Sequence, residues 1–135
     1  MISYLRSAPA ALIAATLFAP AASAGPREAI IAALQAEAGG AAFSATNGRA
    51  FYAANQTGGK PDTPSCTTCH TNNPKAMGQT RVGKPIDPMA VSANPSRFTD
   101  PDKLNKWFLR NCNSVLGREC TATEKGDVLT YLSSL

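Results

Sequence analysis

The sequence predicts a small all-α domain. Helix-start signals recur along the chain, clusters of proline and glycine separate them, and no segment shows a sustained strand alternation. The third observation is size. About 110 residues remain behind an N-terminal targeting segment, enough for one domain with a single core.

The targeting segment comes first. Met1 to Ser7 carries one charge, Arg6, and Ala10 to Ala19 runs apolar through Leu12, Ile13, Leu17 and Phe18. Pro20 breaks that run, and Ala22-Ser23-Ala24 gives a small-x-small cleavage pattern before Gly25. An uncleaved anchor is the alternative, but the run falls well short of the roughly 20 residues that cross a bilayer. The expectation is a cleaved signal peptide over 1–24 and a mature domain over 25–135, exported to the periplasm with no membrane anchor after cleavage. Removing the segment takes Arg6 and no acidic residue with it, so the formal net charge falls from +4 to +3. That mild basicity, without a long Lys/Arg run, does not argue for a nucleic-acid binder, and none is expected as a partner.

Helical propensity covers Pro26 to Ala38, where Ile30, Ile31 and Leu34 form a short apolar stripe ended by Gly39-Gly40. A second helix is expected over Thr46 to Ala54, with Phe51 and Tyr52 as its large side chains. Gln56 to Pro64 is turn-rich, and Asn72 to Ser96 holds Pro74, Pro85, Pro88 and Pro95, which forbid a long helix. Thr99-Asp100-Pro101 opens a third helix that runs through Trp107 to Asn111 or beyond. Thr121-Ala122-Thr123-Glu124 is a capping box for a terminal helix, whose Val128, Leu129, Leu132 and Leu135 repeat at helical spacing.

Between the second and third helices stands Cys66-Thr67-Thr68-Cys69-His70, which reads C-x-x-C-H. Two thiols at this spacing can add to the two vinyl groups of a haem, and the adjacent histidine can hold the iron from one side. His70 is the only histidine in the chain, so no other imidazole competes for that place. A thioredoxin-like redox pair would not need the trailing histidine, and a zinc site would need two more convergent ligands. Export fits the haem reading, because covalent haem is attached outside the bacterial cytoplasm. Helices wrapped around one covalent haem c are therefore expected, with the cofactor supplying much of the core.

The third helix is the next most informative. With Leu104 at zero and about 100° per residue, Trp107 falls near about 300°, Phe108 near about 40° and Asn111 near about 340°. Lys103, Lys106 and Arg110 lie on the other side, a basic face that either meets an acidic partner or is simply solvated. An amide along the apolar face needs a partner, since leaving it unpaired costs about 1–3 kcal/mol. A helix cap or backbone hydrogen bond would satisfy Asn111, and so would an iron lacking a sixth ligand. The rival ligands are Met77 and Met89 in the proline-rich loop, which would give an ordinary electron-transfer site. Met89 could equally fill the core.

Cys112 and Cys120 remain once the haem has taken its two thiols. An exported chain with an even number of cysteines favours a disulfide between them, contributing about 2–3 kcal/mol by closing a short loop. Two free buried thiols are the alternative.

Taken together these residues resemble the sphaeroides haem protein family of class I c-type cytochromes, with a related group in the methylotroph cytochromes c″. The resemblance runs through Gly48-Arg49-Ala50-Phe51-Tyr52, Cys66-Thr67-Thr68-Cys69-His70 and Arg97-Phe98-Thr99-Asp100-Pro101. It continues in Lys106-Trp107-Phe108, Arg110-Asn111-Cys112-Asn113 and Leu116-Gly117-Arg118-Glu119-Cys120-Thr121. It implies a small class I cytochrome c fold and a high-spin haem with Asn111 as the distal iron ligand. It also implies that this ligand leaves on reduction and opens the iron to O2 or NO, with diheme or membrane cytochromes as redox partners. A neutral amide oxygen is a weak, hard donor that suits ferric iron better than ferrous, in agreement with that release. The other nitrogen of His70 should donate to a backbone carbonyl within Val82 to Pro88. The competing functions are a low-spin carrier using Met89 or Met77, a small oxygen or nitric oxide reductase, and a non-haem zinc module. No acid–base pair stands at fixed spacing to the haem residues, so catalysis has no sequence support of its own.

Overall fold

A computed structural model describes residues 24–135; the proposed signal segment lies almost wholly outside them. Five helices and one minimal strand pair make up the domain. They are α1 (Pro26–Glu37), α2 (Ala45–Ala53), α3 (Thr67–His70), β1 (Gly78–Gln79), β2 (Pro85–Ile86), α4 (Pro101–Leu116) and α5 (Ala122–Ser133).

Helices α2, α4 and α5 each begin at a side-chain cap, whereas α1 opens on Gly25 and Pro26 without one. Ser44 accepts from Asn47 N at 3.2 Å to start α2, one residue before the expected Thr46. Asp100 accepts from Lys103 N at 3.0 Å, with Pro101 in the first turn of α4, where its missing N–H costs nothing. The capping box of α5 is complete. Thr121 Oγ1 accepts from Glu124 N, and the Glu124 carboxylate accepts from Thr121 N at 2.8 Å. Helix α4 continues to Leu116, past the expected Asn111, because Cys112 and Val115 extend its buried stripe. It ends at Gly117, whose φ of 71° is left-handed.

Helix α5 is the centre of the fold. Val128, Leu129, Tyr131 and Leu132 are all buried, and α1 and α2 both pack on it. The Tyr52 and Tyr131 rings meet edge to face at 5.8 Å between centroids. Asp127 is buried too, and it accepts from Ser44 N at 2.7 Å, which satisfies the carboxylate and ties α5 to the start of α2. The core falls into two clusters. One gathers Ile30, Leu34, Leu104, Ala122 and Leu129, and the other Tyr52, Val128, Tyr131 and Leu132. Phe98 and Phe108 pack against both.

No strand was expected, and the antiparallel pair β1–β2 is too short for any alternation to register. It pairs Gly78 with Ile86 and Gln79 with Pro85, closed by Thr80 N donating to Lys84 O at 2.8 Å. Among the described residues no helix is long and apolar enough to cross a membrane.

Candidate functional site

The C-x-x-C-H segment folds into the single turn α3, with His70 N donating to Cys66 O at 3.0 Å. Thr71 ends it in a left-handed conformation, φ 62°, which a β-branched residue adopts only under external constraint. Tyr52 from α2 supplies part of that constraint, its hydroxyl lying 3.3 Å from His70 O and 3.4 Å from Thr71 O. Strand β1 lies directly on the motif. Gly78 is required there, because a Cβ would run into the Cys69 carbonyl.

Cys66 and Cys69 are both free thiols. Burial pushes the Cys66 thiol up to about 11, the opposite of the lowered value that makes a redox-active thiolate. A thioredoxin-like role is therefore disfavoured. Cys112, in the C-terminal third of α4, and Cys120, just before the Thr121 cap of α5, are joined in a disulfide, which removes them as further zinc ligands. His70 is pushed down to about 4, chiefly by burial and then by the charge of Arg97. Its ring stays neutral at pH 7 and able to ligate a metal.

The residues fit a covalent haem on two counts. Two thiols of one helical turn are unbonded beside a neutral histidine. Cys66 packs against the Tyr52–Leu132 cluster together with Met89, while Trp107 and Met77 are left about half exposed, at 47% and 52%. A large apolar group against these side chains would cover surface that the polypeptide leaves to water.

His70 Nδ1 is buried and has no hydrogen-bond partner among the described residues, a departure from the expected carbonyl contact. Within Val82 to Pro88, the carbonyls of Asp87 and Pro88 are taken up by another group. Arg97 Nη2 donates to Asp87 O at 2.5 Å, and Arg97 Nε to Pro88 O at 2.8 Å. No sequence signal marked Arg97 for this work, because its partners are backbone atoms.

Asn111 also lies differently from its projection. The buried face of α4 runs through Leu104, Cys112 and Val115, with Phe108 partly buried, and so is centred away from Asn111. Asn111 is exposed on the flank of the helix, one turn from Trp107. Asn113 is exposed as well, but its Nδ2 donates to Leu109 O at 2.7 Å within its own helix. The end of α4 is tied to the loop that leads into the haem motif. Lys60 N donates to Ser114 O at 2.7 Å, and the Thr63 and Ser114 hydroxyls lie 2.9 Å apart.

Comparison with known proteins agrees with this architecture. Residues 38–132 match the family described as a domain of unknown function, DUF1924. The chain is 50% identical over 123 residues to cytochrome c-type protein SHP of Cereibacter sphaeroides, covering 91% of this chain and 95% of that protein. It is 41% identical over 95 residues to cytochrome c″ of Methylophilus methylotrophus, covering 66% of this chain and 62% of that one. Oxidised SHP, described as an oxygen-binding cytochrome c, superposes with a TM-score of 0.77 at 54% identity, covering 79% of this chain and 95% of that structure. Oxidised cytochrome c″ superposes with a TM-score of 0.65 at 34% identity, covering 79% and 92%. The all-α fold expected from the sequence is the fold of these class I c-type cytochromes.

Proposed function

The chain belongs to the SHP-like family of c-type cytochromes, and on that premise we propose that it is a periplasmic monohaem cytochrome that carries one electron and binds O2 or NO when reduced. The observation that carries the reading is the α3 turn. It sets two unbonded cysteines and a neutral, buried histidine in one constrained segment. Cys66 and Cys69 would hold one haem c through thioether bonds, and His70 would hold its iron from the proximal side. When bound, the haem supplies a one-electron couple and an iron able to take a diatomic ligand.

The polypeptide governs the rest. Tyr52 and β1 fix the backbone of the attachment turn and so set where the histidine side chain starts. Asn111 presents its amide from the exposed flank of α4, and a weak, hard oxygen donor would hold the ferric site and release the ferrous one. The disulfide and the Ser114 contacts fix the backbone on the C-terminal side of Asn111, which limits the release to a side-chain movement. Lys103, Lys106 and Arg110 are all exposed on α4, and Arg110 lies over the Trp107 ring at 5.6 Å. This face would receive an acidic redox partner, a diheme or membrane cytochrome by family likeness, so electron transfer should slow with added salt.

A second reading, a low-spin carrier with a methionine ligand, rests on Met89, which packs on the same cluster as Cys66. Absorption spectra of the intact protein with and without dithionite separate the two. A high-spin ferrous spectrum that changes on exposure to CO or O2 supports the gas-binding cytochrome. A low-spin ferrous spectrum inert to CO supports Met89. Haem that leaves denatured protein in acidic acetone would refute covalent attachment and both readings. Oxygen or nitric oxide reduction would have to appear as steady turnover with a reductant.

A further inference from the structure

Among the described residues, two that are not glycine take a positive φ, Thr71 and Phe98, both at 62°. Such a conformation is costly for a residue with a Cβ and persists only where the surroundings over-determine it. Packing accounts for Phe98. Its side chain lies against both core clusters, and Arg27 Nε and Nη2 hold the carbonyl just before it, Arg97 O, at 3.1 and 2.9 Å. Thr71 is half-buried, belongs to neither cluster and directly follows His70.

The ψ of Thr71, 167°, puts it in a region of the backbone map that belongs almost solely to glycine. Upstream, His70 N and Thr71 N close the α3 turn by donating to Cys66 O and Thr67 O, each at 3.0 Å. Downstream, Pro74 O accepts from Met89 N at 2.8 Å and Ala90 N at 2.9 Å, and Val91 N donates to Leu132 O of α5 at 3.0 Å. Only residues 71–73 join these fixed ends. The Thr71 hydroxyl braces the join, donating to Asn73 O at 2.9 Å and accepting from Asn73 N at 3.2 Å. The Tyr52 hydroxyl holds the carbonyls of His70 and Thr71 from the core side. A Cβ on Gly78 would come within 3.1 Å of His70 Cα, so β1 walls that atom as well. His70 thus hangs from backbone that is held both before and after it.

We propose that Thr71 is a positioning residue that stiffens the proximal side of the haem site and so lowers the affinity of the ferrous protein for diatomic ligands. Binding of a sixth ligand draws a five-coordinate ferrous iron toward the haem plane, and the histidine on the opposite side must follow. A histidine whose backbone is braced in a strained conformation resists that movement, and the resistance weakens the ligand. Backbone free to relax would let His70 follow with less opposition. The inference rests on the haem and gas-binding reading above, and it holds whichever residue occupies the distal side of the ferric iron.

The test is CO titration of dithionite-reduced holo-protein whose covalent haem has first been confirmed by intact mass. Tm and the iron–histidine stretch in resonance Raman spectra are read alongside. Thr71→Val keeps the branched shape and removes the brace. It should lower Tm, bind CO about tenfold more tightly and shift the iron–histidine stretch. Thr71→Gly removes both brace and strain, so it should show the same tighter binding with a higher Tm than Thr71→Val. Thr71→Ser keeps the hydroxyl and should stay near the parent in CO affinity. Ile30→Val should lower Tm from the α1 cluster while leaving CO affinity and the stretch at parent values. Where Thr71→Val fails to take up haem, Thr71→Gly and Thr71→Ser carry the comparison. An unchanged CO affinity in Thr71→Gly, or an equal gain in Thr71→Ser, would overturn the proposal whatever happens to Tm. A parent protein that lacks covalent haem, or whose ferrous form is inert to CO, would refute the function proposed above instead, and it is recognised before any variant is measured.

Discussion

The Tyr52 hydroxyl shares one proton between two consecutive carbonyls, His70 O at 3.3 Å and Thr71 O at 3.4 Å. It does so at the point where the backbone turns left-handed to leave the attachment turn. The ring behind that hydroxyl is braced edge-on by Tyr131 of α5. The segment expected to hold the haem is thus pinned from the domain's central helix through a single side chain.

Tyr52→Phe keeps the ring contact and removes the proton, so it should cost about 0.5–1.5 kcal/mol in denaturant unfolding. Burial, with smaller contributions from Cys66 and Tyr131, raises the Tyr52 pKa above its ordinary value of 10.0. A raised phenol favours the folded state below its unfolded pKa and loses that advantage as pH climbs toward the folded value. The parent should therefore lose stability above about pH 10 more steeply than Tyr52→Phe. Parallel alkaline profiles would show that the hydroxyl is already solvated.

Asn111→Ala should leave the ferric iron open or water-bound. Cyanide or azide should then bind faster, with little change in ferrous oxygen binding. Asn111→His should give a low-spin ferric spectrum, since imidazole is the stronger donor. Asn113→Ala should do neither, because its amide is spent on Leu109 O. If Asn111→Ala leaves the ferric spectrum intact while Met89→Ala abolishes it, Met89 is the ligand.

Unreduced peptide mass spectra should show Cys112 linked to Cys120, the pair joined in the structure. Replacing both by serine should lower stability by about 2–3 kcal/mol. Because Cys112 follows Asn111 directly, the same protein should show altered ferric ligand-binding rates. Unchanged rates would restrict the disulfide to stabilising the fold.

Glu124 offers an acid-side test. Hydrogen bonding from Arg118 holds its carboxyl below the ordinary range, against the opposing effect of burial, with Thr121 N also donating. A depressed carboxyl contributes stability above its unfolded pKa and loses it as pH falls through the folded value. The Tm gap between parent and Glu124→Gln should be open at pH 7 and closed well below about pH 4. A gap independent of pH would mean that the side chain acts through shape and not charge.

Features written in side-chain chemistry were the ones legible in the sequence. The caps at Asp100 and Thr121 are local hydrogen bonds between neighbours, so residue types alone reveal them. The disulfide and the attachment motif are equally explicit. Arg97 was illegible as a clamp because it grips carbonyls, which every residue carries, and is itself gripped from 70 positions away. The exposure of Asn111 was missed because the projection took Leu104 as the centre of the buried face. Packing placed that centre between Leu104 and Cys112, and Asn111 moved to the flank. The strand pair escaped notice because two residues cannot display a period of two.

The family match begins at residue 38, just past the end of α1, yet the physical domain does not. Ile30 and Leu34 complete the cluster around Leu104 and Leu129, and Arg27 secures Arg97. A fragment cut at the family boundary would forgo two buried aliphatic side chains, about 1.5–3 kcal/mol each. It would also bare Leu104, which faces the cluster from α4, the helix that carries Asn111. Sequence kinship and mechanical integrity thus draw different borders on this chain, and an expression fragment should follow the second, starting no later than Gly25.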